Sequence, residues 1–129
     1  MAEMINWAVH VDVSAGPTLS ASGASTLQAY DKIGITLEAG AADVDVELQP
    51  GDDAGQVLLL VITASAYDED LTYSPDAGAT EIPLDAPLAL IGAGAVSLLA
   101  ATPQELQFDN GTEAAVEVQI LVGRNAIPA

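Results

Sequence analysis

The chain has 129 residues, which suits one domain with one hydrophobic core, and it carries 19 acidic residues against one lysine and one arginine. The resulting formal charge of −17 excludes nucleic acid and anionic membranes as partners, because both are bound through clusters of Lys and Arg. Half of the residues are hydrophobic but only 4% are aromatic, so Val, Leu, Ile and Ala must fill the core, and the absence of cysteine excludes disulfides and thiolate metal ligands.

The first predicted element is a strand over Ile5–Val13, where apolar residues at every second position indicate one buried face. Trp7 lies on that face, and we expect it to anchor the core. Residues 14–26 are rich in Ser, Gly, Ala and Pro, which is typical of a loop with at most a short edge strand around Thr18–Ser22. A terminal strand that precedes any hairpin partner can join its own sheet or that of a neighbour.

Two pairs of alternating segments predict β-hairpins. Ile33–Leu37 is followed closely by Val44–Leu48, whose polar face is made of acidic residues. Near the end of the chain, Leu106–Phe108 and Ala114–Val122 flank the turn Asp109–Gly111. We therefore expect each pair to be hydrogen-bonded neighbours in one sheet.

Between these pairs, a turn at Pro50–Asp53 leads into Gln56–Ala66, whose apolar centre predicts a strand buried on both sides. The acidic run Asp68–Asp70 is predicted to lie in a loop. Closely spaced prolines predict that Glu81–Leu84 and Leu88–Ile91 are short or edge strands.

Together these elements predict an all-β fold, a single antiparallel β-sandwich or jelly-roll-like domain of about eight or nine short strands over residues 1–129. Helix should make up less than about 15% of the chain, because only Ala95–Ala101 can be helical. The N-terminus lacks the basic and apolar regions of a signal peptide, and the apolar stretch Pro87–Ala101 is shorter than the roughly 18 residues of a membrane span. We therefore expect a soluble protein with neither a signal peptide nor a transmembrane segment.

The sequence predicts that the protein is not an enzyme. His10 is the only histidine and falls on the polar side of the first strand, where a hydrogen-bonded surface role is expected. Serines between 14 and 25 lie in no strand-turn-helix nucleophile context. We therefore predict no catalytic residues, no metal ligands and no cofactor.

One glycine segment and one acidic segment offer alternatives. Leu90–Ser97 resembles the glycine fingerprint of dinucleotide-binding folds, but no βαβ repeats surround it, so a bulge or tight turn is favoured. Asp68–Asp76 is rich in carboxylates and could bind calcium, although its spacing matches no EF-hand and a solvated acidic loop is the simpler interpretation.

The composition, rich in Ala, Gly, Thr and Val, and the segment Leu106–Val122 resemble the accessory structural proteins of tailed-bacteriophage virions, above all capsid decoration or cement proteins. The resemblance implies a homo-oligomer, often a trimer, that is made in the host cytoplasm and stabilises the outer shell of the virion. Its partners would be other copies of itself and the major capsid protein. Two alternatives remain: a tail-tube or fibre component, and a cell-surface or adhesive β-sandwich binding module.

Overall fold

The computed structural model describes residues 3–48, 56–76, 79–99 and 105–125, and these residues form ten strands and one short helix. The strands pair antiparallel throughout, which confirms the predicted all-β fold with very little helix. The elements are β1 (Glu3–Asp12), β2 (Thr18–Leu27), β3 (Ala29–Leu37), β4 (Val44–Glu47), β5 (Gln56–Ala64), β6 (Asp68–Ser74), β7 (Ile82–Leu84), β8 (Leu88–Ile91), α1 (Ala93–Val96), β9 (Glu105–Asn110) and β10 (Val116–Asn125).

Two four-stranded sheets enclose the core. Sheet I has the strand order β3-β10-β5-β8, and sheet II has the order β4-β9-β6-β7. Strands β1 and β2 form a separate two-stranded sheet, residues 3–27, which we call the arm. The rest of the described chain is the body.

The core consists of the inward residues of sheets I and II. Alternate positions of β10, from Val116 to Val122, pack with Leu60 and Ile62 of β5 and with the aromatic rings of sheet II. Phe108 is fully buried, and its ring centroid lies 6.2 Å from that of Tyr73. Period-2 alternation thus places one face of each of these strands against the other sheet.

Both predicted hairpins of the body are wrong, because consecutive strands cross from one sheet to the other. Strand β3 lies in sheet I and β4 in sheet II, and the same holds for β10 and β9. The two links run side by side, with the Gly40 N–H donating to the Asn110 carbonyl at 2.9 Å and the Asn110 N–H to the Ala41 carbonyl at 2.8 Å. Positive φ values at Gly40 (79°) and Asp43 (56°) let the first link arch over the edge of the core.

The predicted loop at residues 14–26 is also wrong, since β2 pairs with β1 along ten residues. Its Ser, Ala, Gly and Thr side chains have weak strand signals, but a ribbon exposed on both faces needs no large apolar residues. Trp7 does not anchor the core. It is half-buried on the arm, packed closely over Gly23, its partner across the ribbon.

Of the other predictions, those for the edge strands and for the glycine turn are confirmed, and the loop at Asp68–Asp70 is wrong. The apolar strand β5 lies inside sheet I between β10 and β8, whereas β7 and β8 are edge strands. Gly92, with a φ of 96°, makes the tight turn between β8 and α1, as the glycine segment suggested. The run Asp68–Asp70 belongs to β6 and not to a loop. The turn at Pro50–Asp53 and residues 100–101 of the predicted helix lie outside the described residues.

Candidate interaction surface

The arm has one apolar and one polar face. Residues directly opposite each other in an antiparallel pair share a face, so Val9 lies beside Ala21 and Val11 beside Leu19 on the face that also carries Ile5 and Trp7. We call this the apolar arm face. The opposite face carries His10, Asp12 and the small polar residues of β2.

Exposure on the apolar arm face increases towards the tip. Trp7 is half-buried, but Val9 is 38%, Val11 52% and Leu19 69% exposed. Of the eight large hydrophobic side chains that are exposed among the described residues, Val9, Val11 and Leu19 lie on this face and Val13 lies in the turn next to them, whereas Met4 is on the opposite face. Neighbouring exposed apolar side chains of this kind mark interaction sites.

The arm is anchored to the body at its base. Leu27, at the end of β2, is fully buried against Gly123 on the outer face of sheet I, where a Cβ on the glycine would collide with the leucine. Within the described chain, β10 is the body strand with which β2 makes appreciable contact. Towards its tip the arm therefore makes no appreciable contact with the body residues that the structure describes.

A polar network ties the two strands of the arm together. The Ser20 hydroxyl lies 2.7 Å from His10 Nδ1, and His10 Nε2 lies 2.9 Å from Asp12 Oδ2. Thr18 Oγ1 donates to the other oxygen of Asp12 at 2.9 Å. These residues form two cross-strand pairs, so the network fixes the register of the ribbon.

Sequence reasoning did not foresee that Ser20, His10 and Asp12 meet in the order of a hydrolase triad. Their surroundings do not suit acyl transfer, because that reaction needs oxyanion donors and a walled pocket. The side chains of His10 and Asp12 are 60% and 62% exposed, and the groove beside them is otherwise lined by Ala8, Val9, Ala21 and Ser22. We interpret the network as structural, because it holds the two strands of the arm in register.

Charge is distributed unequally between the two sheets. The strands of sheet II carry seven acidic residues and no basic residue, and each of the seven is exposed or half-buried: Asp45, Glu47, Asp68, Glu69, Asp70, Glu105 and Asp109. The strands of sheet I carry two acids and two bases and are therefore neutral overall. The arm strands carry only Glu3 and Asp12, with no lysine or arginine.

The outer face of sheet I combines apolar groups with the lysine. Leu121 is paired across the sheet with Val61 on one side and with Lys32 on the other. Leu121 and Val61 are half-buried, and Lys32 is exposed. The arginine lies at the end of the same sheet, where Arg124 donates to Asp31 at 2.7 Å. Both cations of the chain thus belong to sheet I.

The carboxylates of the segment Asp68–Asp76 are not arranged around a common point where a cation would bind. Asp76 accepts hydrogen bonds from the Ser74 hydroxyl and the Thr80 N–H, both at 2.7 Å, and hydrogen bonding from Ser74 and then Thr80 lowers the pKa of Asp76. An oxygen of Asp68 accepts the Asp70 N–H. No three His, Asp or Glu side chains of the described residues are grouped as metal ligands would be.

The described residues include no helix long and apolar enough to cross a membrane.

Comparison with known proteins gave one structural likeness. No protein-family model and no curated protein sequence matches the chain. A solution NMR structure of a de novo designed double-stranded β-helix resembles it with a TM-score of 0.43 and 14% sequence identity, covering 71% of this chain and 97% of the design.

Proposed function

We propose that this chain is a capsid decoration or cement protein of a tailed-bacteriophage virion, a non-enzymatic subunit that stabilises the outer shell. The observation that carries the proposal is the separation of charge from apolar surface. Sheet II is strongly acidic, whereas sheet I is neutral and the arm is nearly so. A subunit that adheres through one side and repels particles and free DNA through the other needs this division.

The arm supports the same proposal. Its exposed valines and leucine suit burial against a neighbouring protein. In the described part of the arm, Glu3 and Asp12 are the only acids, so docking through its centre buries little charge. A role within an assembly accounts for apolar side chains that a free monomer would leave in water.

A tail-tube component is the second candidate, and sheet II is the feature that favours it. Seven carboxylates on one sheet could line a lumen through which DNA slides without adhering. An adhesive module is less well supported, because the exposed aromatic side chains of the described residues, Tyr30 and Tyr67, offer little platform for a ligand.

Immunogold electron microscopy of gradient-purified particles from the source tests the proposal. A decoration protein places the label over the surface of DNA-filled heads. Label confined to tails would replace the proposal with the second candidate, and label confined to the cell envelope would support the adhesive alternative. Either result would overturn capsid decoration.

A further inference from the structure

We propose that the apolar arm face of one copy docks on the outer face of sheet I of a second copy, and that two copies exchange arms reciprocally. The inference rests on the proposed role as an assembly subunit and names the partner of the arm. The centre of each contact would consist of Val11 and Leu19 from the arm of one copy and of Val61 and Leu121 from sheet I of the other.

Charge selects the docking surface. Two copies of −17 each repel one another, and contact through sheet II would bring two sets of seven carboxylates together. Sheet I is the body surface whose strands have no net charge, and its outer face presents Lys32 beside Leu121. The arm is therefore matched to this face both in its apolar residues and in its low charge.

The area of the arm favours reciprocal exchange. Beyond the anchored base, about six residue pairs from Trp7 and Gly23 to the tip form a ribbon about 20 Å long and about 10 Å wide, so one face presents about 200 Å². A single docked arm would bury about 400 Å² in total, well below the area of a specific interface. Two exchanged arms would bury about 800 Å², which approaches the area of weak, transient interfaces.

The base of the arm already shows the mode of contact. Leu27 lies on the same side of the ribbon as the apolar arm face and packs against the outer face of sheet I at Gly123 of its own chain. Among the described residues, the exposed side chains towards the tip pack on no such surface of their own body. A second copy offers the same kind of surface to the rest of the arm.

The experiment measures self-association of the full chain by sedimentation velocity at about 150 mM NaCl, where the Debye length is about 8 Å. Leu19→Glu on the apolar arm face should raise the dimer dissociation constant at least tenfold. Ser22→Glu adds the same charge to the opposite face of the arm and should leave the constant nearly unchanged. On the body, Leu121→Glu should weaken the dimer, whereas Ala86→Glu in the exposed turn before β8 should not.

A mixing experiment separates arm-on-sheet docking from arm-on-arm docking. A heterodimer of Leu19→Glu and Leu121→Glu retains one intact contact, whereas a homodimer of either variant retains none. Mixing the two variants should therefore give association that neither variant shows alone and that stays weaker than that of the wild type. This recovery also proves that each variant is folded. A wild-type chain that stays monomeric, equal effects of Leu19→Glu and Ser22→Glu, or no recovery on mixing would each overturn the inference. A monomer whose immunogold label still covers the capsid would overturn the second copy as partner and leave the proposed function standing.

Discussion

Asn110 is the residue that ties the two links between sheets I and II. Its side-chain nitrogen lies within 3.2 Å of the carbonyl oxygens of Leu37, Glu38 and Ala114, and its side-chain oxygen accepts bonds from the Thr112 N–H and hydroxyl. The residue is 1% exposed. Buried backbone carbonyls such as that of Leu37 need partners, so the side-chain amide acts together with the backbone bonds to Gly40 and Ala41 to hold the crossing geometry in place.

Replacing Asn110 by Ala should therefore lower the free energy of unfolding by about 2–4 kcal/mol, because the buried Leu37 carbonyl and two partly buried carbonyls lose their donor. Urea denaturation followed by circular dichroism measures the change. Gln107→Ala on the outward face of the same strand is the control and should shift stability by less than about 0.5 kcal/mol. Equal losses in the two variants would refute the role given to Asn110.

Gly123 supports a second prediction at this scale. A Cβ there would collide with Leu27, so Gly123→Ala should cost about 1–3 kcal/mol by displacing the anchor of the arm. Gly34→Ala, in the neighbouring strand, places its Cβ in open space and should be neutral or stabilising by up to about 1 kcal/mol. A thermal denaturation series on both variants decides whether Leu27 fixes the arm to sheet I.

At the scale of elements, Asp76 stabilises the connection between β6 and β7. Because hydrogen bonds from Ser74 and Thr80 lower the pKa of Asp76 from its usual 3.8, the folded state favours the carboxylate. The resulting stability is fully present above pH 3.8 and is lost as pH falls through the lowered pKa. The melting temperature of Asp76→Asn should lie below that of the wild type at neutral pH, and the gap should narrow in acid. A constant gap from neutral to acidic pH would contradict this account.

The arm should be less stable than the body, since an isolated two-stranded hairpin is marginal in water and Leu27 is its main attachment. Hydrogen exchange should show amides of β1 and β2 opening far more readily than those of β5 and β10. Protection of the arm should rise with protein concentration if copies exchange arms. Arm amides as slow as those of β10 in dilute protein would indicate that the ribbon packs on its own body.

At the scale of the whole molecule, the sequence predicted the fold class but not the pairing of strands. Alternation in segments such as Val44–Leu48 reports which side chains are buried, and that is enough to identify a sandwich. It does not report which sheet a strand joins, because that choice depends on distant contacts such as the Asn110 amide with Leu37 and Glu38. For the arm, the sequence predicted the first strand but not β2, because β2 is built mainly from small and polar residues that also occur in loops.

The distribution of charge could only partly be predicted from the sequence. The total of −17 is a count, but the fact that seven of the 19 acids lie on the strands of sheet II depends on which strands pair. Once the strands are assigned to sheets, the strands of sheet II are acidic, whereas those of sheet I have no net charge and carry half-buried apolar groups on their outer face. Association of copies must then work against long-range repulsion and rely on an apolar contact.

Sedimentation equilibrium of the full chain as a function of NaCl concentration tests this central claim most directly. The Debye length falls from about 30 Å at 0.01 M salt to about 8 Å at 0.15 M, so repulsion between copies is screened while apolar contacts persist. The account predicts that self-association strengthens as salt is raised. A chain that is monomeric at every salt concentration, or whose association weakens with salt, would contradict it.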